Sequence, residues 1–323
     1  MNHEPVLKIH PRNYHLFDKP DLPHTFILQD HHGGYNKNFK NFLFEKLKTE
    51  KHTIITHFII DEQIKKNYPH LHFKFSADMQ DKINLHHFKN YKMHPSIDYK
   101  NFICSFNGIP HISRQLLSSI LENQGYFNPN YSSKNFAKSN DEIVGHLNNL
   151  DLTEDEIELY DKFFKTTDNF NDTVYSFGHV QFDHSNNIYN LESKLTQNFV
   201  HIVSETIATS YYPFVTEKFL YSIVTRGLFV SYAQPGWHAH IKKYYGFKLY
   251  DKIFDYSFDY IQNPVKRLIK LIEMISKFST LSADDWRDLY FVLEKDTIEY
   301  NYNHYFSGNY LEHIKQIDKT GDS

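Results

Sequence analysis

Residues 213–237, PFVTEKFLYSIVTRGLFVSYAQPGW, decide how this chain is read. The stretch predicts a helix over 217–226, a stop at Gly227, a strand over 228–233 and the turn QPG. The next residues, WHAHIKKYYG, predict a further helix closed by Gly246. A helix, a strand and a helix in 34 residues belong to an α/β protein. The first helix opens on Thr216-Glu217-Lys218, which sets an acid and a base side by side where the backbone leaves N–H groups unpaired.

Outward from this stretch the alternation continues. HIVSET (201–206) is the preceding strand. NFICSFN (101–107) is an earlier one, followed by the turn GIPHIS and the helix RQLLSSILENQ. Apolar positions 116, 117, 120 and 121 make one face of that helix; Ser113 is placed to cap it and Gly125 to end it. Residues 128–150, rich in Asn, Ser and Lys, read as an irregular insertion, and TEDEIELYDKFFK (153–165) opens with the capping box Thr153-x-x-Glu156. Two terminal helices are expected. One runs over 264–278 with Asn263 as cap and Pro264 in the first position; the other starts at Ser282 and carries Trp286, Leu289, Tyr290 and Leu293. In the first hundred residues HTFILQ (24–29), HTIITHFII (52–60) and HLHFKF (70–75) read as short buried strands, with a helix at 36–50 between them.

Such alternation argues for parallel sheets covered on both faces, whose ligands bind where strand carboxyl ends meet helix starts. With 323 residues, 40% of them hydrophobic, the chain can form one large or two medium domains. A net charge of −4 excludes a general polyanion binder, although residues 1–100 carry +4 and thirteen of the 22 histidines. The only cysteine, Cys104, lies in an apolar run, so no intrachain disulfide can form, and a reducing compartment fits. There is no signal-like segment and no 18-residue apolar run. The expectation is a soluble cytoplasmic protein without a membrane span.

Arg114 and Glu217-Lys218 come to the binding edge on two different helices. A helix start attracts phosphate, and Arg114 and Lys218 are the forked and mobile cations that suit a diphosphate. A carboxylate is a poor phosphate partner but grips sugar hydroxyls, so Glu217 beside the two cations describes a nucleotide-sugar site. A glutamate in the first turn is equally ordinary dipole complementation. No two aspartates stand two apart, so the Asp-x-Asp metal motif common among glycosyltransferases is missing. If the site is real, protein cations would neutralise the leaving diphosphate, and no metal cofactor is expected.

FVTEKFLYSIVTRGLFVSY resembles the signature region of the α1,3-fucosyltransferase family, and NFICSFNGIPHISRQLLSSILENQGYFNP resembles its earlier strand–turn–Arg–helix segment. With HIVSET and GFKLYDKIFDYSFDYIQNPVKRLIKLI, the pattern is closer still to glycosyltransferases of phages and large viruses. It covers about a third of the chain, residues 101–125 and 199–280. The resemblance implies a GT-B fold, two Rossmann-like domains whose parallel sheets face a cleft. Residues 1–99 would form the acceptor-side domain and 100–323 the nucleotide-sugar-binding domain. It also implies that Glu217 holds the sugar and that Lys218 and Arg114 hold the diphosphate, with Thr216, Asn107 and Phe214 completing the donor site. Phe214 stands where the signature has Tyr. A GDP-sugar is the donor that the family favours.

An inverting transfer needs a base near the acceptor hydroxyl. Asp30 and His31 follow one predicted N-terminal strand and Asp61 and Glu62 another; the sequence does not choose among them. The partners expected are a nucleotide sugar and a glycan or other hydroxyl acceptor, with nucleic acid not favoured. Two alternatives stand beside this reading. A nucleotide-sugar-binding protein without turnover would lack a working base, and a viral DNA-modifying glycosyltransferase would bind duplex through the basic first third. The pairs HLH (70–72) and HAH (238–240) have a metal-compatible spacing without a third ligand in view, and Trp237 and His238 could stack on a base or sugar.

Overall fold

The computed structural model describes residues 6–9, 25–28, 51–56, 62–75, 87–92, 96–108, 111–134, 154–155, 158, 183–205, 208 and 215–320. Among these residues it is a mixed α/β structure with two sheets, both wholly parallel. Parallel neighbours require crossovers longer than a hairpin turn, which agrees with the alternation in the sequence.

The first sheet runs in chain order: β1 (Val6–Ile9), β2 (Thr25–Leu28), β3 (His52–Thr56) and β4 (Leu71–Phe75). Three of these strands match the sequence-based expectation; β1, four residues in a polar surrounding, has no counterpart in it. Helix α1 (Glu62–Asn67) crosses from β3 to β4, and register places Ile54, Leu71 and Phe73 in the buried interior. The helix expected over 36–50 lies outside the described residues, as do residues 57–60 of the predicted second strand.

The second sheet has β5 (Asn101–Cys104), β6 (Asn198–Ser204) and β7 (Leu228–Tyr232), again in chain order. Every residue of β6 and β7 is buried, as expected for parallel strands covered on both faces. Helix α2 (Ile112–Asn123) follows β5, α3 (His184–Thr196) leads into β6, and α4 (Leu220–Val224), entered by a 3-10 turn at Glu217–Phe219, leads into β7. After β7 come α5 (Trp237–Tyr245), α6 (Pro264–Ser276), α7 (Ala283–Asp288), a π-helical turn at Leu289–Glu294, α8 (Lys295–Phe306) and α9 (Asn309–Thr320).

The core gathers around this sheet. Trp286 stacks on Phe102 and Phe199, with ring centroids 5.7 and 5.6 Å away, and so joins the terminal helices to β5 and β6. Its Nε1–H donates to the Phe278 carbonyl at 2.9 Å. Phe88, Tyr91 and Tyr99 are buried in the same core, although they precede β5.

Several boundaries differ from expectation. Ser113 does not cap α2: His111 holds that position, and the Ser113 hydroxyl donates to the Glu205 carbonyl at 3.1 Å. Residues 128–134 are irregular but built into the sheet edge. Ser133 bridges Phe106 in parallel, its N–H donates to the Ser105 carbonyl at 2.9 Å, and Ser132, Ser133 and Lys134 are buried. The remainder of that segment, 135–150, lies outside the described residues; of the helix expected at 153–165, Glu154, Asp155 and Glu158 are described and helical. Helix 217–226 is shorter than predicted, and Arg226, not Gly227, takes the left-handed turn at its end, with φ 55°. The chain after Ser282 forms three further helices and a π turn in place of one helix. No helix among the described residues is long and apolar enough to cross a membrane.

Candidate functional site

The second sheet ends in a band of buried polar groups. After β5, Asn107 is held by two serines: its Nδ2 donates to Ser105 Oγ, and its backbone N–H to Ser133 Oγ, both at 2.9 Å. Asn107 is 1% exposed, and its Oδ1 meets no hydrogen-bond donor among the described residues. A buried acceptor in this state is costly, and a donor from water or a ligand would satisfy it.

After β6, Glu205 is completely buried. Its N–H donates to the Tyr232 carbonyl at 3.0 Å, which extends the β6–β7 ladder by one step and fixes where the carboxylate emerges. Oε1 accepts the Thr216 N–H at 3.2 Å, and Oε2 accepts the Thr216 hydroxyl at 2.5 Å. The Thr216 Oγ1 also caps the 3-10 turn by accepting the Lys218 N–H at 3.5 Å, and it accepts the Lys218 ammonium at 2.8 Å. Lys218 Nζ is 3.6 Å from Glu217 Oε1 and 3.9 Å from Glu205 Oε2.

Arg114 enters the same cluster from α2. It is 5% exposed; burial pulls it down to about 10, opposed by the charges of Glu205 and Glu217. Burial likewise raises Glu205, against the pull of Lys218 and Thr216. The structure therefore brings Arg114, Thr216, Glu217 and Lys218 together and adds Glu205, which the sequence reading did not single out. Its signal was an acid ending a strand that is buried throughout, where a carboxylate has no place without dedicated partners.

The helix start itself contributes less than the sequence suggested. The TEK helix spans eight residues, three of them a 3-10 turn, and Thr216 already engages the Lys218 N–H. The chemistry lies in the side chains, two cations and two carboxylates at the carboxyl edge of a parallel sheet.

Asp30, His31, Asp61 and Phe214 lie outside the described residues. Glu62 opens α1. Trp237 and His238 do not form a stacking platform, because both are buried, at 0% and 1% exposure. His238 Nε2 accepts the Ser231 N–H at 3.0 Å, so the ring carries its proton on Nδ1 and donates to Asp259 Oδ1 at 2.7 Å. Asp259 Oδ2 accepts the first N–H groups of α5, from His238 and Ala239. Arg267, buried on α6, donates to the carbonyls of Ala208, Ala233, Ile261 and Gln262 and so clamps the loops that follow β6 and β7. An open groove of about 420 Å³ runs along α5 past Lys242, Lys243, Tyr256 and Tyr260; it contains none of the residues the sequence assigned to the donor.

Fold and cluster together define the class: an α/β protein of parallel sheets with charged residues at a strand-end edge. Against protein-family models, curated proteins and solved structures, the chain gives no match.

Proposed function

We propose that this protein is a glycosyltransferase that moves a sugar from a nucleotide-diphosphate sugar to a glycan or other hydroxyl acceptor. In this proposal its fold is of the GT-B type, with the two sheets belonging to two Rossmann-like domains across a cleft. The observation that carries the reading is the convergence of Arg114 and Lys218, from different helices, on the carboxyl edge of β6 beside Glu217. The family resemblance of the same segments supports the same residues and favours a GDP-sugar. Asn107, with its unsatisfied Oδ1, suits a hydroxyl or N–H of the donor.

The transfer has a simple balance. One of Asp30, His31, Asp61 and Glu62 takes the proton of the acceptor hydroxyl. The oxygen attacks the anomeric carbon from the face opposite the diphosphate, and the bond from that carbon to the diphosphate oxygen breaks. The electron pair leaves with the nucleoside diphosphate, where Arg114 and Lys218 meet the charge. Placing cations there matters because the charge develops as the bond breaks. Metal independence is proposed from the missing Asp-x-Asp.

The test is a thermal-shift comparison of GDP-, UDP-, CMP- and dTDP-sugars, with EDTA and with Mg²⁺. Saturation at 100 times the dissociation constant adds about 2.7 kcal/mol of stability. One nucleotide class should raise the melting temperature equally with EDTA, and Lys218→Ala should make the rise much smaller. With the donor identified, Arg114→Ala and Lys218→Ala should each lower turnover about 10²–10³-fold. No shift with any of the four overturns the reading.

A further inference from the structure

Among the described residues, the charges that face Glu205 belong to the proposed donor site: Lys218 and Glu217 on the 3-10 turn, and Arg114 on α2. Thr216 holds both carboxylate oxygens. Its hydroxyl has one proton, which it gives to Glu205, so toward Lys218 it can only accept. The result is a hydrogen-bond relay with a fixed direction, from Lys218 through Thr216 to Glu205, and it folds the ammonium back over its own helix start.

Among the described residues, two cations face two carboxylates here before any ligand arrives. A diphosphate would disturb that arrangement by drawing on the cation most able to move. Lys218 is that cation: its side chain is 21% exposed, whereas Arg114 is 5% exposed. Lys218 is also the strongest influence keeping Glu205 ionised against the effect of its burial. When the ammonium turns to the diphosphate, Glu205 loses that support and gains a negative neighbour. Retaining the charge on a wholly buried carboxylate whose lysine partner has left, with Thr216 still donating to it, is costly.

We propose, resting on the donor-site reading above, that Glu205 is the counter-ion of Lys218 in the ligand-free protein and takes up a proton when the donor's diphosphate takes the lysine. Binding then consumes one proton from solvent, which resides on the Glu205 carboxyl, and product departure returns it. Glu205 is a positioning residue, touching neither the sugar nor the reacting atoms. The donor site is thereby selective for ligands that bring negative charge, since a neutral sugar has no means of drawing Lys218 away.

Calorimetry tests this with whichever of the GDP-, UDP- and dTDP-sugars, the three that carry a diphosphate, gives the largest thermal shift. Titrations are run in buffers of different ionisation enthalpy and repeated across pH. The diphosphate of a nucleotide sugar is a diester with no titrating group near neutrality, so proton uptake reports the protein. The expected result is uptake on binding, with affinity rising as pH falls by up to about tenfold per pH unit. Glu205→Gln should remove the uptake and the pH dependence while binding at alkaline pH at least as tightly as the natural protein. Should that variant not fold, Lys218→Ala decides: its Glu205 is already neutral before ligand arrives, so its weakened binding should show no uptake. Binding without proton uptake by the natural protein overturns the proposal, and so does uptake that persists unchanged in either variant. Failure of all three nucleotide sugars to bind is a different outcome, which removes the donor-site reading and this inference with it.

Discussion

Asp259 and Lys242 show how differently a charge can matter at two positions around one helix. Asp259 is 2% exposed and accepts from the His238 ring and from the N–H groups of His238 and Ala239. Asp259→Ala would leave three donors without their acceptor, each worth about 1–3 kcal/mol when buried. The expected loss is at least about 3 kcal/mol, read as a lower urea midpoint. Lys242 pairs with Asp251 at 3.3 Å, but both side chains are 57% exposed, and Lys242→Ala should cost less than about 1 kcal/mol. The sequence could not separate these cases. HAH carried a metal-compatible spacing, yet what fixes His238 is a carboxylate 21 residues later, and no local pattern announces such a partner. Glu205 escaped notice for the same reason. A polar residue after a strand is ordinary, and its meaning emerges only when Thr216, Lys218 and Arg114 fold around it. Arg114, Glu217 and Lys218 were legible because a helix start makes charged residues conspicuous without tertiary information.

Helix boundaries were legible wherever local chemistry sets them. Asn263 and Pro264 begin α6 as expected, the Asn263 Oδ1 accepting the Lys266 N–H at 2.8 Å. Gly125 closes α2 with φ 71°, its N–H donating to the Glu122 carbonyl while Tyr126 reaches Leu121, the paired bonds of a left-handed helix stop. Ser282 starts α7 with a full capping box: its hydroxyl accepts the Asp285 N–H and the Asp285 carboxylate accepts the Ser282 N–H. Ser282→Ala removes the first of these and should cost about 1 kcal/mol, visible in chemical denaturation as a lower midpoint at constant slope. Boundaries set by tertiary packing were not legible. Arg226 takes a left-handed turn that glycine would normally occupy, because its side chain is anchored elsewhere. The guanidinium lies 3.5 Å from the Tyr302 ring centroid and pairs with Glu299 at 2.9 Å, while its carbonyl accepts the Tyr290 hydroxyl. The π turn at Leu289–Glu294 also answers to distant partners. It turns Glu294 inward, where Oε1 accepts the Lys252 N–H at 2.8 Å, and a periodicity of apolar residues carries no record of that contact.

At the scale of the molecule, the parallel α/β class followed from alternation alone, since a helix between successive strands leaves few other ways to cover a sheet. The polar groups inside that sheet were not foreseen, and they give the fold a specific response to acid. His201, in the middle of β6, is buried against the Phe106 ring, and its Nδ1 lies 2.6 Å from Ser222 Oγ. Burial pushes it from its ordinary 6.5 down to about 3. Burial also lowers His304. Between those two values the unfolded chain binds a proton at His201 that the folded chain refuses, so stability rises with pH there. The contribution is complete above 6.5 and is lost as pH falls toward 3, with a slope of at most about 1.4 kcal/mol per pH unit. Glu205, raised by burial, contributes the opposite slope above the usual carboxylate range, so the informative comparison is between variant and natural protein at each pH. His201→Asn, which retains a polar partner for Ser222, should be less stable at neutral pH because it leaves a small cavity, but should lose less between pH 6.5 and 4. Urea denaturation at half-unit pH steps measures both quantities. Two parallel stability–pH curves would show that His201 is not the group the folded state holds neutral; converging curves place the acid sensitivity of the molecule in the centre of its second sheet.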